Sequence, residues 1–145
     1  MNYKLLQYDK SLLPVKGDIR LRMENYEKKL SQLLAPGQTL ADFANGHRYF
    51  GFHETETGWV YREWAPSAYQ LYLEGESNNW DQTSHPLKKL DNGNWELELD
   101  GEDALWDGCL VKTIVKHGGK LLERIPLYAK RVVQDKDTAL WSAVI

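Results

Sequence analysis

The chain has 145 residues, a formal net charge of −3 and a single cysteine, and its tryptophans and tyrosines far outnumber its phenylalanines. This length suits about one domain, and the scattered basic residues argue against nucleic acid or an anionic membrane as a partner. No stretch approaches the roughly 20 apolar residues of a membrane span, and the N-terminus lacks the apolar core of a signal peptide. With Cys109 expected to be a small buried residue, we expect a cytoplasmic protein.

Residues 1–46 are predicted to form a helical N-terminal region. Residues 1–17 are predicted to be an irregular lead-in that ends at Pro14 and Gly17. Apolar residues then recur at spacings of four and three, which predicts an amphipathic helix with Asp18 as its N-cap and Pro36-Gly37 at its end. We expect its apolar stripe to pack on the sheet that follows; the stripe is Ile19, Met23, Tyr26, Leu30 and Leu33. Capping-box spacing at residues 39–42 predicts a second, short helix.

Residues 47–145 are predicted to form an immunoglobulin-like β-sandwich, so the fold class is mainly β with a short helical segment in front. Alternating apolar and polar residues separated by turn signals recur at the spacing typical of a sandwich. The predicted strands are residues 49–53, 59–64, 69–74, 95–99, 110–116, 121–125, 132–133 and 139–145.

No catalytic, metal-binding or cofactor-binding residue is predicted. Glu96 and Glu98 share one face of a strand, as acid–base carboxylates do, but their alternation with Trp95 and Leu97 indicates a solvated face. The histidines lack metal-ligand spacing, and there is no glycine-rich phosphate loop; the histidines are His47, His53, His85 and His117.

The sequence Asn78-Asn79-Trp80 is the best candidate for ligand binding. The C–H face of a glucose ring packs on an aromatic ring, while its hydroxyls need polar partners, and this loop offers both. The alternative is that Trp80 is a packing residue that closes one end of the sandwich, because tryptophan is mostly buried.

Three other tryptophans lie within predicted strands and are expected in the core: Trp59, Trp64 and Trp95. Trp106 precedes Asp107-Gly108 and is expected to be partly exposed. Lys112 lies in an apolar β run. Because a buried, unpaired ammonium is costly, we expect Lys112 to point outward, either to a sugar hydroxyl or to solvent.

Six motifs occur in a fixed order: Tyr49-Phe50-Gly51-Phe52-His53, Glu63-Trp64-Ala65-Pro66, residues 75–80, His85-Pro86-Leu87-Lys88, Arg124-Ile125-Pro126 and residues 128–135, YAKRVVQD. Together they resemble the N-terminal region of eukaryotic-type 1,4-α-glucan (glycogen or starch) branching enzymes, from about Asp18 to Ile145. The β part is similar to carbohydrate-binding module family forty-eight, the sandwich that precedes an α-amylase-type barrel. The last two motifs narrow the resemblance to branching enzymes.

The resemblance implies a glucan site with Trp80 as its stacking platform, Asn79 binding hydroxyls and Lys112 beyond them. The family pattern Gly-Asp-Phe-Asn-x-Trp reads Gly75-Glu76-Ser77-Asn78-Asn79-Trp80 here, so Ser77 replaces a packing ring. A second aromatic residue of glycogen-binding relatives has no counterpart around Lys120-Leu121.

Branching enzymes resemble retaining glycosidases, in which a barrel Asp attacks the sugar and a barrel Glu is the acid–base. This sequence lacks the barrel motifs, so the expected partners are α-1,4-glucan (glycogen, starch or maltooligosaccharide) and a barrel of the same polypeptide. An absent barrel predicts that apolar residues near the end of the chain, at Trp141, Val144 and Ile145, are exposed or paired in a dimer. Two alternatives are a stand-alone glycogen-binding regulatory module, which residues 124–135 disfavour, and a packing-only sandwich without glucan affinity.

Overall fold

The computed structural model describes residues 3–145 and separates a helical unit that ends at Asn45 from a β unit, Gly46–Ile145. No helix among the described residues combines the length and the apolar character needed to cross a membrane. Each unit is compact and has its own internal contacts.

The helical unit contains α1 (Lys4–Tyr8), a 3₁₀ turn (Lys10–Val15), α2 (Lys16–Leu33) and α3 (Leu40–Phe43). The irregular lead-in predicted for residues 1–17 is therefore wrong over the part that the structure describes. The Asp9 carboxylate accepts hydrogen bonds from the amide and the hydroxyl of Ser11, which begins the 3₁₀ turn. Pro14 lies within that turn, which leads directly into α2.

Asp18 is not the N-cap of α2, because the helix begins at Lys16 and Val15 occupies the capping position. Asp18 lies in the first turn instead, where a negative charge stabilises the positive end of the helix dipole. No residue of α2 is buried, so the predicted packing of its apolar stripe on the sheet stays a prediction. The capping box of α3 is confirmed, since Thr39 and Asp42 exchange hydrogen bonds.

The β unit consists of two antiparallel sheets, so the predicted mainly β sandwich is confirmed. One sheet has the strand order β1-β2-β5-β4, with β1 (Gly51–Thr55), β2 (Gly58–Trp64), β4 (Lys88–Lys89) and β5 (Asn94–Asp100). The other has the order β3-β6-β9-β8, with β7 also paired to β6; its strands are β3 (Gln70–Gly75), β6 (Leu110–His117), β7 (Lys120–Arg124), β8 (Arg131–Gln134) and β9 (Trp141–Val144).

The core lies between the inner faces of the two sheets. Its fully buried side chains include Tyr61, Leu71 and Trp95, so the core position predicted for Trp95 is confirmed. Trp59 is half-buried and packs against this cluster. The core position predicted for Trp64 is wrong, since Trp64 is 51% exposed. Successive side chains of a strand alternate between faces, and the odd spacing of five residues puts Trp59 and Trp64 on opposite sides.

A buried polar network connects the two sheets. The Tyr61 hydroxyl donates to Glu63 Oε2 at 2.8 Å and also contacts the Thr113 hydroxyl on β6. The other donors to the Glu63 carboxylate are the backbone amides of Leu127 and Trp64, at 2.8 and 3.0 Å. Burial, and then the nearby Glu63 charge, raise the pKa of Tyr61 well above its ordinary value. Glu63 thereby ties the Glu63-Trp64-Ala65-Pro66 motif to the segment that follows Pro126.

The apolar residues near the end of the chain differ in exposure. Trp141 is about half exposed, as expected, whereas Val144 is buried and Ile145 is half-buried. Val144 is paired with Leu110 on β6 and with Arg131 on β8, so it lies between two strands of the second sheet.

Candidate functional site

Trp80 lies in the loop after β3, and 39% of its surface is exposed. Asn79 and Trp80 have positive φ angles of 54° and 59°. Asn tolerates this left-handed conformation, but a bulky tryptophan rarely adopts it unless the surrounding structure imposes it. The Trp80 amide donates to the Gly75 carbonyl at 2.8 Å, which closes the loop on itself.

The side chain of Asn78 imposes this loop conformation. Its Oδ1 accepts a hydrogen bond from the Gly75 amide at 2.9 Å. Its Nδ2 lies within 3.1 Å of four acceptors: the carbonyls of Leu73 and Asp81, Ser84 Oγ and His85 Nδ1. An amide nitrogen has only two protons to donate, so these acceptors already exceed what Asn78 can satisfy. Of the four predicted site residues, Asn78 holds the loop and has no group left for a ligand.

The outward orientation predicted for Lys112 is wrong. Lys112 is 6% exposed, and its ammonium donates to Glu123 Oε2 on β7 at 2.6 Å. The same nitrogen lies over the Trp80 ring, 5.6 Å from the ring centroid, at a distance typical of a cation–π contact. Lys112 therefore supports one face of the Trp80 ring. Glu123 is the partner that satisfies the charge of Lys112. The local sequence around Lys112 does not reveal this partner.

Glu74 is a buried carboxyl group that the sequence reasoning missed. It is 2% exposed and is paired with Lys112 in the register of β3 and β6. Burial is the main cause that raises the pKa of Glu74, and the Glu123 charge adds to it. Glu74, Lys112 and Glu123 thus form a group of charges next to Trp80. The pairing of Glu74 with Lys112 across β3 and β6 is the signal that could have indicated this buried carboxyl group.

Asn79 is exposed, and its side chain makes no hydrogen bond within residues 3–145. Of the four predicted residues, only Trp80 and Asn79 present groups to solvent: one aromatic plane and one amide with free donors and an acceptor. Leu121, near the position where relatives have a second aromatic residue, is exposed but aliphatic.

The described residues contain no cluster of three or more His, Cys, Asp or Glu that could hold a metal ion. Glu96 is engaged in an ion pair with Arg62 at 2.6 Å, while Glu98 is exposed. Cys109 is fully buried, and burial raises the pKa of its thiol, which disfavours the reactive thiolate.

A β-sandwich with a rigidly held, exposed tryptophan beside a free amide has the features of a carbohydrate-binding module. Residues 49–129 match the family described as Carbohydrate-binding module 48 (Isoamylase N-terminal domain). The chain belongs to this family.

Among curated proteins, the chain is similar to enzymes named 1,4-alpha-glucan-branching enzyme. It is 36% identical to that of Dictyostelium discoideum in an alignment 146 residues long with its gaps, which covers 97% of this chain and 22% of the relative. It is 34% identical to that of Emericella nidulans in an alignment 136 residues long, which covers 90% of this chain and 20% of the relative. The chain therefore spans about a fifth of the length of these relatives.

Two solved structures share the fold. The catalytic module of the multi-modular glycogen-degrading pneumococcal virulence factor SpuA gives a TM-score of 0.52 at 18% identity, covering 83% of this chain and 18% of that chain. Pullulanase type I from Bacillus subtilis, complexed with maltose, also gives 0.52 at 18% identity, covering 70% of this chain and 14% of that chain.

The loop-holding role of Asn78 predicts different effects for two neighbouring substitutions. Asn78→Ala leaves the Gly75 amide and several acceptors without a partner, so we expect the free energy of unfolding to fall by about 2 kcal/mol. Asn79→Ala removes no internal hydrogen bond and should leave stability within about 0.5 kcal/mol of the wild type. Urea unfolding measures both, and equal losses would contradict the role of Asn78.

The raised pKa of Glu74 predicts a pH-dependent effect on stability. The folded state holds this proton more tightly than the unfolded chain, so the contribution of Glu74 to stability is greatest below its ordinary pKa of 4.5 and is lost as the pH rises through the raised pKa. Glu74→Gln should therefore stabilise the protein at pH 7 but not at pH 4. Urea unfolding at both pH values checks this, with the exposed Glu98→Gln as control. A loss of stability at pH 7 would show that Glu74 is needed as an anion.

Proposed function

We propose that this chain is the glucan-binding module of a 1,4-α-glucan branching enzyme and that its Trp80 loop binds α-1,4-glucan. The single observation on which this proposal rests is the exposed Trp80 ring, held by hydrogen bonds in a conformation that tryptophan rarely adopts. Relatives named as branching enzymes and a fold shared with a maltose-complexed pullulanase support the choice of ligand.

The geometry suggests how a glucose unit binds. The C–H face of the sugar stacks on the face of Trp80 that Lys112 does not cover, because an apolar face and an aromatic ring are complementary. The Asn79 amide exchanges hydrogen bonds with the hydroxyls at the edge of that sugar. The side chain of Glu123 is 44% exposed and accepts a hydrogen bond from a sugar hydroxyl while it keeps its bond to Lys112.

In the proposed parent protein, a catalytic barrel forms α-1,6 branches by transglycosylation, and this module keeps long chains close to the barrel. The proposal includes a cytoplasmic location and a role in glycogen biosynthesis. A stand-alone glycogen-binding regulatory module is the alternative. The similarity of nearly the whole chain to branching enzymes, including residues 124–135, favours the enzyme module.

Exposed apolar residues at the edge of the second sheet favour a second role, packing on another domain. β8 is the outer strand of its sheet, and Val132 and Val133 are both exposed. Leu140 and Trp141 are exposed on the adjacent segment. An open apolar strand edge promotes association with other chains unless it is covered, so we infer that the catalytic barrel of the same polypeptide covers it.

Trp80→Ala tests the glucan-binding role. Loss of the stacking platform should weaken the binding of maltoheptaose to the Trp80 loop at least about tenfold, which corresponds to about 1.4 kcal/mol. Calorimetric titration at millimolar sugar gives the affinity, and Trp141→Ala is the matched control because Trp141 is also exposed but lies on β9.

Equal affinities of Trp80→Ala and the wild type would refute this site. Absence of any binding by the wild-type chain at millimolar sugar would favour the packing-only sandwich.

Val133→Lys tests the packing role. We expect the wild-type chain to self-associate at high concentration through the β8–β9 edge, and a lysine on an edge strand should oppose this. Sedimentation velocity measures the association, with Leu21→Lys as control because Leu21 is an exposed apolar residue on α2. A wild-type chain that stays monomeric at every concentration would contradict an uncovered docking edge.

A further inference from the structure

Two carboxyl groups share one ammonium group next to the Trp80 ring. Glu74 and Lys112 lie opposite each other on β3 and β6, so their side chains leave the same face of the sheet. Glu123 reaches the same ammonium from β7, with its Oε2 2.6 Å from Lys112 Nζ. Glu74 and Lys112 are buried, whereas the side chain of Glu123 is 44% exposed. These three residues, here called the carboxyl–ammonium cluster, therefore extend from the interior to the solvent beside Trp80.

The cluster is neutral only when one of its carboxyl groups holds a proton. With both ionised, two negative charges face one positive charge, and the excess negative charge lies in a buried place, which is costly. Glu123 is the carboxylate that forms the ion pair with Lys112, so Glu74 is the group that takes the proton. Burial and then the Glu123 charge raise the pKa of Glu74, while Gln82 and Lys112 oppose this rise.

The other titratable groups around Glu74 have partners of their own or lie further along the sheet. The loop after β3 brings Gln82 towards Glu74. Its titratable side chains are bonded elsewhere: Glu76 to the Leu110 amide, Asp81 to the Thr83 and Ser84 amides, and His85 to Ser84 Oγ. The strand residues on the same face add Tyr72 on β3 and the exposed Lys116 on β6. Lys112 and Glu123 are the charges that act on the pKa of Glu74.

A sugar on Trp80 changes the surroundings of the cluster, because Lys112 contacts both the ring and Glu123. Its Nζ lies 5.6 Å from the centroid of the Trp80 ring and 2.6 Å from Glu123 Oε2. A sugar hydroxyl that donates to Glu123 displaces water from this carboxylate. Water weakens the repulsion between Glu123 and an ionised Glu74, so its removal makes that repulsion stronger. A bound sugar therefore favours the protonated form of Glu74.

We propose that glucan binding at the Trp80 loop is coupled to a proton on Glu74, so that the neutral cluster binds the sugar more tightly than the ionised cluster. This regulation rests on the proposed glucan-binding function. Coupling is reciprocal, so a sugar that favours the proton is itself favoured by the proton. The affinity for glucan is therefore greatest below the pKa of Glu74 in the free protein and falls as the pH rises through its pKa in the complex.

The first test is calorimetric titration with maltoheptaose at pH 5 and at pH 8. We expect the wild type to bind about threefold more weakly at pH 8, which corresponds to a rise of roughly half a unit in the pKa of Glu74 on binding. Glu74→Gln carries a neutral amide at every pH, so its affinity should be the same at both pH values. The control Glu98→Gln, at an exposed glutamate on β5, should keep the pH dependence of the wild type.

The second test needs no substitution. The ¹³C shift of the Glu74 side-chain carboxyl, followed against pH with and without maltoheptaose, reports the pKa of this group directly. We expect the midpoint of the titration to move to higher pH when the sugar is bound.

Three outcomes would overturn the proposal while leaving glucan binding intact. They are equal wild-type affinities at pH 5 and pH 8, a Glu74 midpoint that the sugar does not move, and a pH dependence that persists in Glu74→Gln. The last result would assign the dependence to another group such as His85. Absence of maltoheptaose binding at both pH values would instead refute the Trp80 site and the coupling with it, so the two failures are distinguishable.

Discussion

The Glu63 carboxylate lies at the junction of the two sheets with only 6% of the residue exposed, and a buried charge is costly unless donors inside the protein satisfy it. Three donors meet this requirement: the Tyr61 hydroxyl and the amides of Trp64 and Leu127. Tyr61 also contacts Thr113 on the opposite sheet, so one carboxylate joins both sheets to the segment after Pro126. The next two residues hold the turn before β5, because the Trp64 indole donates to the Asn92 carbonyl and the Ala65 amide donates to the Gly93 carbonyl. The Glu63-Trp64-Ala65-Pro66 motif, which resembles a family signature, therefore fixes the positions of several segments that are distant in sequence.

The need to satisfy polar groups inside the protein also determines the conformation of the Trp80 loop. Asn78 satisfies its amide within the loop, and the conformation that this imposes directs Trp80 outward. Lys112 is paired with Glu123 and supports the ring from one side. Of the four predicted site residues, Asn78 positions the loop and Lys112 positions the ring. The other two, Trp80 and Asn79, present groups to a ligand. A rigid platform loses little conformational entropy on binding, which favours even a small site.

Sequence patterns predicted the strands other than the two-residue β4, and also the capping box of α3, because both signals lie in residues that are close along the chain. They failed for Lys112, whose deciding partner lies on another strand. Lys112 is buried because Glu123 on the neighbouring strand satisfies its charge. The error at Trp64 was of another kind, because its odd spacing from Trp59 already places the two side chains on opposite faces of the strand. The hydrogen-bond partners of the Asn78 amide depend on the geometry of the loop, which residue types alone do not specify.

The central claim is that the open face of Trp80 stacks on a glucose unit. Intermolecular nuclear Overhauser effects between the protein and maltoheptaose test it most directly, because they report which protons lie within a few ångströms of each other. The account predicts contacts from the indole ring protons of Trp80 to C–H protons of the sugar. A bound sugar that gives no contact to the Trp80 ring would contradict the account.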